Sequence, residues 1–335
     1  MENTATFPRS PDARDDGAST VAGGPIQPAP PPFMLPASAP YHVLSQFCPD
    51  ALELRAAFET HFADPYRRGP QHQVWDYWHV PDSYTYLRTS PEKVLPRVPL
   101  DAFHAQLRAF ARTWLGMDTV TWPHLSLYVE GCRQTIHNDS SNGAFGYVFS
   151  LTLWDQRKFT GGETMIFREQ DYWASGRFRE AGAGTSFYEN IPSLFNQLLL
   201  FDDRLIHGVQ EVRGVTDPRL GRLVVHGHLQ CKEPVIDGPL AQAPRQVAEP
   251  LAAIVRDIRS RAGSLGKPLH GFATTAVRIS GEGEVSVTPQ ISRVLSREGV
   301  ERELPLLLEM RERLSELRFP AMENPSFVTI PVFFS

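Results

Sequence analysis

Apolar residues are spaced in two ways along this chain. Up to about residue 118 they recur at helical intervals; from Val120 they alternate or cluster in short blocks, as strands do. Leu52, Leu54, Ala57 and Phe58 predict a helix over residues 49–62, opened by Pro49 and Asp50. Phe103, Leu107, Phe110 and Trp114 form the apolar stripe of an amphipathic helix over 100–115. Between them, residues 72–88 are dense in aromatics: Trp75, Tyr77, Trp78, Tyr84 and Tyr86. They read as packing under an outer helix, or else as the rim of a site. Strands are predicted at 120–131, 144–155, 162–168, 196–203, 206–213 and 222–230, with a long excursion at 169–195 that is either a surface insertion or a functional loop.

After Cys231 the pattern changes again. KEPVIDGPLAQAPRQ reads as a linker, and residues 248–260 as a short helix. FATTAVRIS and EVSVTP alternate as a hairpin around Gly281-Glu282-Gly283. Residues 297–317 read as an amphipathic helix and FVTIPVFF as a closing strand. At the other end, residues 1–40 hold nine of the 29 prolines and almost no large apolar residue before Phe33. Such a segment cannot bury enough surface to offset its ordering entropy, so it is expected to be a disordered tail. Its PIQPAPPPF stretch has the composition of a polyproline ligand as well as of a solvated tail.

Composition narrows the function. A formal net charge of -5 gives no basic footprint for nucleic acid. No apolar run reaches the roughly 20 residues of a membrane span. Cys48, Cys132 and Cys231 form no C-x-x-C pair and no disulfide framework, which suits a reducing cytoplasm.

The candidate chemistry centres on Leu125–Asp139, LSLYVEGCRQTIHND, read as a strand ending on His137 and Asp139. Residues i and i+2 of a strand share a face. An imidazole and a carboxylate so placed are two parts of a 2-His-1-carboxylate facial triad, and His207 supplies a third. Fifteen residues on, Arg222 opens the apolar strand RLVVHGHL. His226 and His228 share its parity and should face inward with it, whereas His104 and His124 read as packing residues.

His137-Asn138-Asp139, Gly161-Gly162-Glu163, Leu199-Leu200-Phe201, His207-Gly208-Val209, Val212 and Arg222 occur in one order. Over residues 41–230 the chain thereby resembles the Fe(II)- and 2-oxoglutarate-dependent oxygenases, most closely their prolyl-hydroxylase-like branch. The resemblance implies a mostly β fold with flanking helices, a double-stranded β-helix (jelly roll) over 41–232; the pattern beyond it reads as a linker and small α+β domain over 233–335. The resemblance also implies His137, Asp139 and His207 as Fe(II) ligands and Arg222 as the anchor of the far carboxylate of 2-oxoglutarate. Arg219 and Arg213 are alternative anchors; Leu223-Val224-Val225 favour Arg222 by placing it on a buried strand. Tyr128 is implied as a co-substrate or pocket residue. The tyrosine found on the following strand in relatives has Tyr147, Ser150 or Thr152 as its counterpart here, and Val224 stands where relatives carry Ser or Thr.

The implied activity is hydroxylation of an unactivated C–H bond in a peptidyl or free amino acid, proline first, or a related metabolite. O2 is consumed, and ascorbate is a possible accessory. Asp139 argues against halogenation, which needs a small residue there. The alternatives are a non-catalytic sensor of metal and 2-oxoglutarate, or a cupin-like metalloprotein. Residues from about 265 to 335 resemble the C-terminal domain of TonB-like proteins, which implies a surface for a protein partner.

Overall fold

The computed structural model describes residues 41–64, 74–121, 123–167, 188–231, 234–265, 269–296, 299–301 and 304–334. The proline-rich tail and most of the 169–195 excursion lie outside them. Twelve antiparallel strands form one curled sheet. In chain order they are β1 (Tyr41–Ser45), β2 (Asp76–Val80), β3 (Tyr84–Thr89), β4 (Thr119–Val120), β5 (His124–Tyr128) and β6 (Arg133–His137), then β7 (Phe145–Ser150), β8 (Thr164–Phe167), β9 (Tyr188–Ile191), β10 (Gln197–Asp202), β11 (His207–Val209) and β12 (Arg222–Gln230). The order across the sheet is β1-β10-β7-β12-β5-β3-β6-β11-β8-β9, with β2 on β3 and β4 on β12. This is the expected jelly roll. Helices α1 (Ala51–His61) and α2 (Arg97–Phe110) cover one face.

Two strands sort their side chains between the layers. Leu198 and Leu200 of β10 join Phe58 and Phe103 of the helices in one core, while Leu199 and Phe201 pack with Ile166 and Leu205 on the other side. In β12, Leu223, Val225 and Leu229 face the helical core, which leaves Arg222, Val224, His226 and His228 on the inner face. That division places the polar residues of β12 inside the barrel.

Three details depart from expectation. Leu125–Asp139 is not one strand. The chain turns at Gly131 (φ 79°), where the Cys132 N–H donates to the Val129 carbonyl, and β5 and β6 each pair with β3. The aromatic stretch 72–88 is largely the β2–β3 hairpin: Trp75 packs against Phe58 and Phe62, whereas Trp78, Tyr84 and Tyr86 face the interior of the barrel. The first half of the expected linker contains strand β13 (Val235–Asp237), paired with the final strand.

β13 belongs to a second sheet with β14 (His270–Ile279), β15 (Val285–Ser296), β16 (Gly299–Glu301) and β17 (Ser326–Phe334), in the order β13-β17-β14-β15-β16. Helices α3 (Arg245–Ala262) and α4 (Pro305–Ser315) pack on it. The helix expected over 297–317 starts only at Pro305, because proline suits the first helical turn and restricts the residue before it. Arg204, just past β10, joins the sheets: it pairs with Asp202 and donates to the carbonyls of Phe334 (2.7 Å) and Gly271 (3.0 Å).

His42 of β1 is buried edge-on against Phe272 (6.2 Å), with no hydrogen-bond partner at Nδ1 among the described residues. Burial, with the Arg293 charge adding to it, lowers its pKa to about 3. An unfolded histidine titrates near ~6.5, so the folded state binds fewer protons and loses stability as pH falls through that window. Between pH 7 and pH 5, His42 is expected to lower the unfolding free energy by about 2 kcal/mol. Urea titrations of wild type and His42→Phe at both pH values check this; an unchanged pH step in the variant contradicts it.

Candidate functional site

β6 and β11 are neighbours, and His137 stands directly opposite His207 in their register. The register then slips before Val209, a bulge of the kind that re-aims side chains beside functional sites. The two rings are 4.5 Å apart. Each is fixed through Nδ1. His137 Nδ1–H donates to the Thr135 carbonyl (2.7 Å) and His207 Nδ1–H to the Leu205 carbonyl (2.9 Å). A carbonyl only accepts, so Nδ1 carries the proton and Nε2 presents a lone pair in the neutral ring. Both Nε2 atoms face Asp139 Oδ2, at 3.8 and 3.4 Å.

Asp139 lies just beyond β6. Its N–H donates to the Asp203 carbonyl (2.8 Å), and its Oδ1 accepts from Asn142 Nδ2 (3.0 Å). That leaves Oδ2 turned toward the imidazoles. Burial alone would raise the Asp139 carboxyl, but the hydrogen bond and charge of His207, reinforced by His137 and His228, hold it at about 2. Burial and the neighbouring His207 push the His137 imidazole below its ordinary value. Three acceptor atoms thus converge with their outer atoms already held, a donor set short of one cation. His137, Asp139 and His207 form a group whose ligand atoms lie within 4.8 Å of one another.

A third imidazole adjoins them. His228 Nε2 is 4.0 Å from Asp139 Oδ2, and its Nδ1 is 2.9 Å from Asp203 Oδ2. Asp203 is fully buried, with Oδ1 unpartnered among the described residues. Burial raises its pKa against the opposing pull of His228; for His228, burial pulls the imidazole down, but the hydrogen bond and charge of Asp203 together with the charge of Asp139 raise it on balance. The parity of β12 put His228 inside the barrel; its buried carboxylate partner, 25 residues away, left no mark in the sequence.

The cluster opens into a cavity of about 780 Å3. At its inner wall Arg222 is 1 % exposed and stands opposite Tyr128 in the register of β12 and β5. The guanidinium lies 4.7 Å from the Tyr128 ring centroid. Arg222 Nη2 donates to Thr164 Oγ1 (3.2 Å), while Nε and Nη1 have no partner among the described residues. Burial lowers its pKa, with the charges of Tyr128 and Glu163 opposing. Buried Arg normally has an anionic partner; here two N–H groups face a cavity without one. Arg219 and Arg213 are instead surface residues paired with Asp217 and Glu211.

Tyr128 is buried, stacks on Tyr86 (5.3 Å) and donates to Gln134 Oε1 (2.9 Å). Tyr147 lines the cavity with its hydroxyl unpartnered among the described residues, whereas Ser150 and Thr152 donate to the Ser193 and Leu223 carbonyls. Of the three, Tyr147 is therefore the one whose hydroxyl stays available to a ligand. His124 and His226 also line the cavity. His226, held by Ser126 Oγ (2.8 Å), is lowered to about 3, chiefly by burial. Gly161 and Gly162 adopt φ of 75° and 80° beside this wall, and a Cβ at Gly161 would lie 1.9 Å from the Glu211 carbonyl oxygen. Only glycine fits that turn.

No family model matches this sequence, and no curated protein matches it. Several solved structures do. A prolyl-4-hydroxylase from Pseudomonas putida is 16% identical, with a TM-score of 0.41, over 58% of this chain and 95% of that one. A prolyl hydroxylase from Trichoplax adhaerens, in complex with a fragment of the hypoxia inducible factor oxygen degradation domain, is 12% identical, with a TM-score of 0.36, over 56% and 81%. A viral collagen prolyl hydroxylase from Paramecium Bursaria Chlorella virus-1, solved as its 2OG complex, is 11% identical, with a TM-score of 0.37, over 56% and 94%. None of the comparisons supports the TonB-like resemblance of the C-terminal segment. What the chain has in common with these enzymes is, at such distances, a likeness of fold.

Proposed function

We propose that residues 41–232 are an Fe(II)/2-oxoglutarate-dependent dioxygenase that hydroxylates an unactivated C–H bond of an amino-acid-like or peptidyl substrate, with proline the first candidate. One observation carries the reading: a three-acceptor cluster and a buried, under-partnered arginine share one cavity. His137, Asp139 and His207 would hold the metal on one side, leaving the other to ligands from solution. Arg222 and Thr164 would bind the far carboxylate of the oxo acid; Thr164 supplies the hydroxyl that Val224 lacks.

Bound there, Fe(II) and 2-oxoglutarate would supply the oxidative decarboxylation that activates O2. The chain's own part is geometric and electrostatic. The Thr135 and Leu205 carbonyls fix the tautomers, Asn142 holds one oxygen of Asp139 away from the ligand position, and Tyr86 and Tyr128 exclude water around Arg222. His228 is the observation that favours a cupin-like reading, since it brings a third imidazole near Asp139. Arg222 favours the oxo acid, because a site that takes only a metal has no need of a buried fork for carboxylate.

The test is anaerobic addition of Fe(II) and then 2-oxoglutarate, watching for the weak visible band of the chelate. Succinate release in air is measured next. A band with succinate formation supports the enzyme. A band without turnover supports the sensor, and iron binding without a band supports the cupin-like protein. Ascorbate is added to the succinate assay as the accessory reductant.

No helix among the described residues is long and apolar enough to cross a membrane. Among the described residues no cysteine is in a disulfide, consistent with our placing the protein in a reducing cytoplasm. Residues 233–335, with their own sheet and core, we take as a separate small α+β domain and a docking surface for a protein.

A further inference from the structure

Arg222 is not the only arginine in the cavity. Arg88, near the end of β3, also lines it. Its guanidinium carbon lies 3.4 Å from the centroid of Trp78, its diagonal neighbour on β2. The indole holds one face of the guanidinium and Tyr86 takes one of its N–H groups; the planar fork has further donors to offer a ligand. Among the described residues no carboxylate forms an ion pair with Arg88; its register partner Asp76 is exposed and does not reach it.

The charge of the cavity points the same way. Asp139 is the sole carboxylate among its described lining residues. A divalent ion with Asp139 leaves one positive charge, Arg222 adds another, and the doubly charged oxo acid cancels both. Arg88 is then the cation left over. Around it stand Trp78, Tyr86 and the neutral imidazoles of His124 and His226, a wall suited to the apolar body of a small molecule.

We propose that Arg88, braced on Trp78, is the subsite for the carboxylate of the substrate, so that the enzyme acts on a free amino acid or a peptide's C-terminal residue and not on an internal residue of a protein. The inference rests on the dioxygenase reading for what happens at the metal, but anion binding at Arg88 does not depend on it. A planar guanidinium meets one carboxylate through two parallel hydrogen bonds. An internal peptide unit offers Arg88 only a neutral carbonyl.

The test is calorimetric. Protein loaded with Zn(II), which supports no turnover, and 2-oxoglutarate is titrated with L-proline, L-leucine, their amides and N-acetyl-L-proline. Wild type should bind at least one acid about tenfold or more tighter than its amide, the scale of one charge-assisted contact. Arg88→Gln should erase that preference and Arg88→Lys retain part of it, since lysine keeps the charge and loses the fork. Tight binding of N-acetyl-L-proline identifies a peptide end; loss of binding on acetylation identifies a free amino acid. Equal binding of acids and amides by wild type, or a preference that survives Arg88→Gln, overturns the proposal. The chelate band of Fe(II) and 2-oxoglutarate, recorded on the same variants, separates the two claims. A missing band with an Arg88-dependent preference sinks the dioxygenase reading alone, and a normal band without the preference sinks the subsite alone.

Discussion

Arg222→Ala is expected to raise the 2-oxoglutarate concentration needed for half-saturation by about 100- to 1,000-fold, the scale of losing one partner of a buried charged pair. The charge is fully buried, bonded on one side to Thr164 and open on the other. Arg222→Lys should fall between, since a lysine keeps the charge but cannot span a carboxylate. The same burial gives a second, opposite effect. In the ligand-free protein an under-partnered guanidinium is costly, so a hydrophobe of similar length should relieve it. Arg222→Met is expected to melt higher than wild type without ligand, and to gain nothing when 2-oxoglutarate is added. Thermal melts with and without the oxo acid read both effects. A wild type that is unmoved by 2-oxoglutarate, beside a variant that behaves identically, would remove Arg222 from the site.

The second large effect concerns the metal. Asp139→Ala and His207→Ala should each reduce affinity for Co(II), used as a visible stand-in for iron, by more than the roughly 10–100-fold that loss of an outer partner costs. Asp203→Asn and His228→Phe should fall within that smaller range. They disturb the group that borders Asp139 Oδ2 without removing a ligand atom of the triad. Asn142→Ala belongs to the smaller class too, because it frees Asp139 Oδ1. Co(II) titrations followed by absorbance rank the five. If His228→Phe ranks with Asp139→Ala, then His228 is itself a ligand and the cupin-like reading gains.

The contrast between these two sets of residues is also the contrast between what the sequence disclosed and what it hid. His137 and Asp139 were legible as candidates from their i, i+2 spacing at a strand end, and His207 and Arg222 from the ordered motifs of the family resemblance. The inward aim of His226 and His228 followed from the period-two alternation of β12. Thr164, Gln134, Asn142 and Asp203 were not legible. Each is an ordinary polar residue whose role depends on a neighbour supplied by another strand: Thr164 meets Arg222 across 58 positions. The β2–β3 hairpin was missed for a related reason. Its aromatics do double duty, with Trp75 in the helical core and Trp78 in the cavity, so no single periodicity fits. The break at Gly131 escaped because the apolar run on either side continues through it.

Arg204 sits two residues beyond Asp202 and three before His207, on the loop that also carries Asp203 and the Leu205 carbonyl that fixes the His207 ring. Its guanidinium is bonded to the carbonyls of Gly271 and Phe334, which lie 67 and 130 positions further along the chain. On a ribosome, the strands that bear His137 and His207 emerge well before the residues that steady this loop. The order of synthesis therefore differs from the order in which the pocket becomes rigid. A nascent chain that has completed the jelly roll has His207 paired in β11 but lacks the Arg204 contacts that steady the preceding loop, so the proposed metal group would be less well held then than after release.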